Sequence, residues 1–221
     1  YRVLVLDDAR KDIGLMEGFL TLPLRKGTDF YVKNYVDLGD VFNPNDQNIR
    51  DWEGNSQTYK GHQGIDYVGT YRTVIVAAAP GIIIGYENDW KTNPDLSEIG
   101  NRVVIYHFNG MFTAYNHLDD LSGNMKLIRF DPEYIRNPSS IPKGFPRVSR
   151  GDIIGYMGHT GQTPFTHLHF EAWPRSYRYF GSGKGWVIDP YRDLFYGKHG
   201  NALFSNGQSE WTKDNDPQYS A

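Results

Sequence analysis

The residues best suited to chemistry lie in the stretch THLHFEAW, residues 166–173. It contains His167 and His169, two of only seven histidines in the chain. The bulky and aromatic residues around them favour a strand, and on a strand residues i and i+2 point to the same face. Two imidazoles on one face of an apolar strand are either hydrogen-bonded core histidines or part of a metal or acid–base site. The rest of the sequence has to distinguish these interpretations.

A second pattern, HQGID, begins about a hundred residues upstream at His62 and ends at Asp66. A catalytic zinc site typically uses three protein ligands such as His and Asp, with water in the fourth position. His62, Asp66 and one of the two downstream histidines would complete such a set. The spacing alone is weak, since chance expects about 0.6 His-x-x-x-Asp matches in this chain. A straight strand would also separate the two Cα atoms by about 13 Å, so we expect a bend or bulge at Gly64.

Composition limits the class of protein. A chain of 221 residues, with 39% hydrophobic residues, is long enough for one sizeable domain. Aromatic residues make up 15% and glycines number 24, which favours a β-rich fold with many turns. The formal charge of −3 offers no bulk attraction to nucleic acid or to an anionic membrane. Cysteine is absent, which excludes disulfides, thiolate metal sites and a cysteine nucleophile.

No run of about 18 apolar residues occurs, so no transmembrane segment is predicted. The chain begins at Tyr1 rather than Met, which is compatible with removal of a leader.

Six apolar runs, most of them bounded by Gly, Pro or Asn, predict β-strands. They are residues 74–79, 81–87, 102–108, 111–118, 152–158 and 166–173. Between the third and fourth runs, Asn109-Gly110 provides a strong hairpin signal. Residues 7–20 have apolar residues at helical spacing and predict a short helix. Two long interruptions, 88–100 and 119–149, are expected to be loops, the second with structure or function of its own.

Taken with their flanks, these patterns resemble the lysostaphin/LytM-type zinc metallopeptidases, a family of peptidoglycan endopeptidases. The matching segments occur in the order seen in that family: GHQGIDY, VAAAPGIIIGYE, GNRVVIYHFNGMFTAYNHL, VSRGDIIGYMGHTGQT, THLHFE and IDPYRDL. The signature has three separated parts, His-x-x-x-Asp, Tyr-x-His-Leu and His-x-His. The resemblance runs from about Tyr59 to Phe195, with residues 88–100 and 119–149 as insertions.

The resemblance implies a mainly β fold, an antiparallel barrel-sandwich (duplicated hybrid motif) with a few short helices and long loop insertions. It implies one Zn²⁺ per chain, held by His62, Asp66 and His169. His117 and His167 would flank the metal-bound water, activate it as general base and stabilise the tetrahedral intermediate. The chemistry is consistent, because zinc lowers the pKa of bound water towards about 7. A histidine that titrates near neutrality can accept the proton and return it to the leaving amine.

The resemblance also predicts a domain organisation and a location. We expect residues 1–58 to form an extension on or beside the core, 59–197 the metallopeptidase domain and 198–221 a tail. The substrate would be peptides of peptidoglycan, with no nucleic-acid partner, and the location extracytoplasmic: periplasmic, wall-associated or secreted. Whether the extension covers the groove is open, although Asn34 and residues 43–55 have side chains that could reach a zinc ion.

Other polar residues receive less specific predictions. We expect His107 and His159 to be structural and His199 to be exposed. Glu171 would share the strand face of His169, where it either orients that imidazole or forms a solvent-facing salt bridge.

Two other functions are compatible with parts of the sequence. Degenerate members of the family have lost ligands and activate other cell-wall hydrolases, but all five site positions are filled here. The glucose-type phosphocarrier of the sugar phosphotransferase system has a similar His-x-Gly-Ile-Asp stretch. That cytoplasmic protein lacks the His-x-His pair, which argues against the assignment.

Overall fold

The structure is a computed structural model, which describes residues 19–34, 62–119 and 126–173 and the backbone of three short strands beyond them. Most of the predicted helix at 7–20, the 43–55 segment and His199 lie outside these residues. The division into an extension, a domain and a tail therefore stays a prediction.

The described chain is mainly β, as predicted. Its strands are β1 Phe30–Asn34, β2 Ile65–Gly69, β3 Val74–Val76, β4 Gly81–Glu87, β5 Asn101–His107, β6 Phe112–Leu118, β7 Arg147–Val148, β8 Ile153–Tyr156, β9 His167–Trp173, β10 Ile188–Asp189, β11 Leu194–Tyr196 and β12 Ala202–Phe204. The described helical structure is short: α1 at Glu133–Arg136 and 3₁₀ turns at Pro94–Leu96 and Pro138–Ser140. All six apolar runs contain a strand, although the first is shorter than predicted. None of the described helices is long and apolar enough to cross a membrane.

The strands form two antiparallel sheets within the described residues. The large sheet has the order β12-β11-β10-β9-β6-β5-β4-β7, with β2 joining β9 to β1, and the small sheet pairs β3 with β8. In this part of the chain the strands do not close into one hydrogen-bonded barrel. Strand β9 pairs with β6 and with β2. Strand β9, which contains His167 and His169, therefore lies between the strand that contains Asp66 and the strand that contains His117.

The hairpin predicted at Asn109-Gly110 joins β5 to β6. Gly110 has φ +92°, and its N–H donates to the carbonyl of His107 at 2.8 Å. The N–H of His107 donates in turn to the carbonyl of Met111, also at 2.8 Å. This pattern is a three-residue loop that ends with a left-handed glycine. In this turn Gly110 has a positive φ and Asn109 does not.

The core is built from large apolar side chains on the strands around β9. Tyr67 of β2, Phe112 and Tyr115 of β6 and Phe170 of β9 are all at most 1% exposed. Residues 19–24 also belong to this core, since Leu20 and Leu24 are buried in the same cluster. Part of the predicted extension thus packs directly on the sheets. Burial of each large side chain stabilises the fold by about 2–3 kcal/mol, which fixes the strands that carry the polar residues.

Candidate metal centre

The register of β9 with its neighbours brings polar residues from distant parts of the chain to one place. Asp66 of β2 and Asn116 of β6 both pair with His169, one on each side. Side chains directly opposite each other on antiparallel strands have Cβ atoms about 4.5–5.5 Å apart. Asp66 and His169 therefore become neighbours through strand pairing, although 103 residues separate them along the chain.

His62 reaches the same point because the chain bends at Gly64, as the sequence predicts. His62 Nε2 lies 3.0 Å from Asp66 Oδ1 and 3.1 Å from His169 Nδ1. The third side of this triangle, His169 Nδ1 to Asp66 Oδ1, is 3.0 Å. Glycine is required at the bend, since a Cβ at residue 64 would lie 2.6 Å from the Phe170 carbonyl oxygen and 2.7 Å from His169 Nε2.

The three atoms of this triangle fit a small divalent metal ion. Four ligands at zinc distances of about 2.0–2.1 Å in a tetrahedron lie about 3.3 Å from one another. The observed separations of 3.0–3.1 Å are close to that value. His62, Asp66 and His169 can thus supply one nitrogen, one oxygen and one nitrogen, a donor set that zinc accepts.

Glu171 fixes the orientation of the His169 ring. Its Oε1 lies 3.1 Å from His169 Nε2, so this nitrogen carries the proton that the carboxylate accepts. In the neutral imidazole, Nδ1 then has only a lone pair, which points at the Asp66 carboxylate 3.0 Å away. Two acceptors at this distance require a shared proton or a metal ion. Trp173 Nε1 donates to the other Glu171 oxygen at 2.7 Å and fixes the carboxylate.

The pKa values of these groups reflect their close contacts with one another. Burial lowers the pKa of His169, but hydrogen bonds to Asp66 and Glu171 outweigh burial and raise the pKa to about 10. Burial raises the pKa of Asp66, yet the charge of His62 and hydrogen bonds from the surrounding imidazoles bring it well below its usual range. Burial also raises the pKa of Glu171, and the bond with His169 reverses that shift. The contacts with these imidazoles thus favour the ionised form of both carboxylates.

His117 faces this cluster because of a β-bulge in β6. The β5–β6 register shifts between Asn101 and Val103, so Asn116 and His117 together oppose one residue of β5. His117 has φ +58°, which is uncommon for a residue other than glycine. A bulge of this kind redirects a side chain, and the His117 ring centroid lies 4.6 Å from that of His167.

The neighbours of His117 set its protonation state. Burial, together with the charges of His167 and His169, lowers its pKa to about 3. This value lies below the near-neutral pKa expected for a general base, because a buried imidazole close to other imidazoles resists a further proton. Its Nδ1 lies 2.9 Å from the Thr160 carbonyl oxygen, so Nδ1 carries the hydrogen and Nε2 keeps its lone pair.

His167 is held in a similar way. Its Nδ1 lies 3.1 Å from the Phe165 carbonyl oxygen and 3.1 Å from Thr163 Oγ1. A carbonyl oxygen only accepts, so Nδ1 again carries the hydrogen. Nε2 faces inward, 3.4 Å from Asp66 Oδ1. The five residues singled out in the sequence are therefore all in one cluster.

The cluster lies in a groove of about 810 Å³. Apart from the five histidine and aspartate residues, its walls are Lys33, Asn34, Glu98, Ile99, Asn116, Gly161, Gln162, Thr163, Pro164 and Phe165. Lys33 and Asn34 belong to β1, so the predicted extension contributes to the groove wall. Asn34 is buried and its Nδ2 donates to Asp66 Oδ2 at 2.7 Å. The sequence left open whether Asn34 reaches the site, and in the structure its amide contacts the carboxylate of Asp66.

The remaining described histidines lie outside the groove lining, in agreement with their predicted structural roles. His107 is fully buried, with Nδ1 at 2.9 Å from the Pro80 carbonyl oxygen. His159 Nε2 donates to the Thr163 carbonyl at 2.8 Å. Thr160 and Asn116 have no predicted catalytic or metal-binding role. Thr160 lies inside GHTGQT, a segment used for the resemblance, but its carbonyl contact with His117 exists only in the folded chain.

Part of this chain is similar in sequence to known proteins. Residues 60–127 match the family model described as Peptidase family M23. The DD-carboxypeptidase/endopeptidase Mpg of Neisseria meningitidis is 31% identical over 117 residues, which are 52% of this chain and 20% of that protein. The peptidoglycan DD-endopeptidase ShyC of Vibrio cholerae is 31% identical over 112 residues, 51% of this chain and 20% of the relative. The chain thus spans about a fifth of the length of these curated relatives.

Among solved structures, the catalytic domain of the antimicrobial peptidase lysostaphin from Staphylococcus simulans aligns with 80% of this chain and 89% of its own. The identity is 19% and the TM-score 0.42. The family match contains two of the predicted ligands, His62 and Asp66, and the predicted catalytic His117. The resemblance to the lysostaphin/LytM-type metallopeptidases is therefore confirmed, through a match to peptidase family M23 over residues 60–127.

Proposed function

We propose that this chain is a zinc-dependent endopeptidase that hydrolyses peptide bonds in bacterial peptidoglycan. The observation that carries the proposal is the triangle of His62 Nε2, Asp66 Oδ1 and His169 Nδ1, with sides of 3.0–3.1 Å, at the floor of an open groove. Two further histidines, His117 and His167, lie beside it, each with its Nδ1 at a backbone carbonyl. Few structural roles require five such groups in one place.

His62, Asp66 and His169 would hold one zinc ion per chain. Zinc in such a site polarises the scissile carbonyl and makes a bound water acidic enough to act near neutral pH. Glu171 holds the Nε2–H of His169, which keeps Nδ1 available as the ligand atom. Asn34 holds the second oxygen of Asp66, which leaves Oδ1 to face the imidazoles.

The chain's own acid–base groups are the Nε2 atoms of His117 and His167. Each can accept the proton released by the attacking water, because its Nδ1–H is already fixed by a carbonyl. The histidine that accepts this proton can then give it to the leaving amine. While protonated, the imidazole also places positive charge near the developing oxyanion.

Support for the substrate comes from the groove and the relatives. Two curated relatives are named for endopeptidase activity, one of them on peptidoglycan. The groove is open along Phe165, Pro164 and Ile99, which provides apolar walls for an extended peptide. Since peptidoglycan lies outside the cytoplasmic membrane, we also propose an extracytoplasmic location. Residues 59–197 would form the peptidase domain, with β1 of the preceding extension as one wall of the groove.

The test combines metal analysis with digestion of purified peptidoglycan. We expect about one zinc per chain and new amino termini detectable by mass spectrometry, whose identity defines the bond that is cut. His169→Ala should lose zinc and turnover together. His117→Ala should keep zinc and lose turnover by about 10²–10⁴-fold, as expected for removal of a general base.

The outcomes separate the enzyme from its alternative. A protein that binds zinc but releases no peptide from several types of peptidoglycan would contradict the peptidase and favour a non-enzymatic activator. A protein without zinc after growth in zinc-containing medium would contradict the metal site itself. Lys143→Ala, at an exposed position outside the groove lining, is a control for nonspecific loss of activity.

A further inference from the structure

The loop between β8 and β9, residues 157–166, forms hydrogen bonds with His117 and His167, the two histidines that would act as acid–base groups. The Thr160 carbonyl accepts the Nδ1–H of His117 at 2.9 Å, and the Phe165 carbonyl accepts that of His167 at 3.1 Å. Each contact fixes a tautomer as well as a ring orientation, because a carbonyl can only accept. The same loop supplies groove wall through residues 161–165.

The hydroxyl of Thr160 fastens this loop to two strands. Thr160 Oγ1 donates to the Leu118 carbonyl at 2.6 Å, at the end of β6. It also accepts the backbone N–H of Asn101 at 2.9 Å, at the start of β5. One side chain therefore joins the loop to the strand that carries His117 and to that strand's hairpin partner. The carbonyl of the same residue lies at His117 Nδ1, so any shift of Thr160 is passed to the imidazole.

Two glycines allow this close approach. Gly100 and Gly161 both have positive φ, +68° and +79°. A Cβ on Gly100 would lie 2.4 Å from the Thr160 carbonyl oxygen, and one on Gly161 would lie 2.4 Å from the Gly100 nitrogen. The β4–β5 loop, which ends at Gly100, is thus in backbone contact with the β8–β9 loop. Side chains at Gly100 or Gly161 would prevent the close approach that brings the Thr160 carbonyl to His117.

His117 needs such support because its backbone is in the left-handed region. A residue other than glycine at φ +58° is disfavoured and persists only where the surroundings impose it. Its backbone N–H donates to the Ile99 carbonyl at 2.9 Å, and its ring is bound by Thr160. Both contacts come from the two loops that meet at Gly100 and Gly161.

We propose that Thr160 is a positioning residue: its hydroxyl locks the β8–β9 loop so that its carbonyl keeps His117 as the Nδ1–H tautomer with Nε2 facing the metal centre. The expected effect on turnover rests on the function proposed above. The tautomer of His117 does not depend on that function. It assigns a role in catalysis to a side chain that touches neither metal nor substrate.

Thr160→Val tests the proposal, because it removes the hydroxyl and nearly preserves the shape. We expect kcat to fall about 10- to 100-fold on a defined peptidoglycan peptide, as for a catalytic group displaced by about 1 Å, with KM changed less than about twofold and zinc content unchanged. Thr160→Ser should restore most of kcat. Thr21→Val is the matched control, because it removes a similar hydroxyl-to-carbonyl bond, to Ala78 at 3.0 Å, outside the groove lining.

Nitrogen-15 NMR of histidine-labelled protein gives a readout that a purely structural role would not change. The wild-type protein and Thr160→Ser should show the Nδ1–H tautomer of His117, and Thr160→Val a mixture of tautomers. An Nε2–H tautomer in the folded wild-type protein would overturn the proposal even if no variant folds. So would wild-type kcat and tautomer in Thr160→Val.

These readouts also separate the two proposals. If the wild-type protein cleaves no peptidoglycan but the tautomer responds to Thr160→Val as expected, the peptidase assignment fails and the positioning role stands. If the protein is active and Thr160→Val is indistinguishable from Thr21→Val, the positioning role fails and the peptidase assignment stands.

Discussion

At the scale of single residues, the two nitrogens of His169 have different tasks. Glu171 occupies Nε2 at 3.1 Å, and Nδ1 points at Asp66 and His62. Without the Glu171 carboxylate, the imidazole would be free to exchange the proton between its nitrogens or to rotate. The proposed metal site therefore depends on the residues that contact the ligands as well as on the three proposed ligands.

Glu171→Gln should weaken zinc binding by about 10- to 100-fold, the usual effect of losing a partner of a ligating histidine. The amide is similar in shape but carries no charge and accepts the Nε2–H more weakly. The measurement is a competition titration with a chromogenic chelator. Glu133→Gln, on the exposed face of α1, is the control and should bind zinc like the wild type. Equal affinities for both variants would contradict the role of Glu171.

At the scale of elements, the site depends on four features of the fold, and the sequence could predict only some of them. The strand around THLHFEAW and the bend at Gly64 follow from local patterns. The pairing of Asp66 with His169 does not, since register is a long-range property. The bulge that turns His117 into the site has no local signal in YNHL: it requires contacts with Ile99 and Thr160 that exist only in the folded chain.

The bend at Gly64 offers a test of how tightly an element controls the metal centre. Gly64→Ala would place a Cβ 2.6 Å from the Phe170 carbonyl and 2.7 Å from His169 Nε2. We expect a loss of about 1–3 kcal/mol of stability from this overpacking, together with markedly weaker zinc binding because His169 must move. Thermal unfolding and metal analysis would measure both effects.

Gly144→Ala is the matched control, since a Cβ there meets no atom within 4 Å. It should change neither quantity by more than the experimental error. Normal zinc content in Gly64→Ala would show that the bend does not govern the ligand geometry.

At the scale of the whole molecule, the chain buries polar groups away from the metal centre as well as around it. His107 is 0% exposed, with its Nδ1 bonded to Pro80 and its Nε2 2.9 Å from Thr113 Oγ1. Thr113 Oγ1 lies in turn 3.2 Å from the Tyr115 hydroxyl, which accepts the N–H of Ala78 at 2.9 Å. This chain of bonds links the β4–β6 region to the segment after β3.

Stability should therefore depend on pH through His107. Burial lowers its pKa from the ordinary 6.5 to about 4, and the Arg150 charge acts in the same direction against the Pro80 bond. Between pH 6.5 and 4, His107 is protonated in the unfolded chain but stays neutral in the folded chain. The free energy of unfolding therefore decreases as the pH falls through this range. Above it His107 has no effect. The shift in the His107 pKa corresponds to a decrease of about 3 kcal/mol in the free energy of unfolding across this range.

Urea unfolding of the wild type and of His107→Gln at several pH values from 7 to 4 would measure this term, at one fixed zinc concentration. Glutamine can still donate to Pro80 but does not titrate, so the variant should be less stable at pH 7 and lose less stability on acidification. Other groups that titrate in the window, including His117, are present in both proteins and cancel in the comparison. If the free energy of unfolding depended on pH in the same way in both proteins, the buried His107 would not be the source of the acid sensitivity.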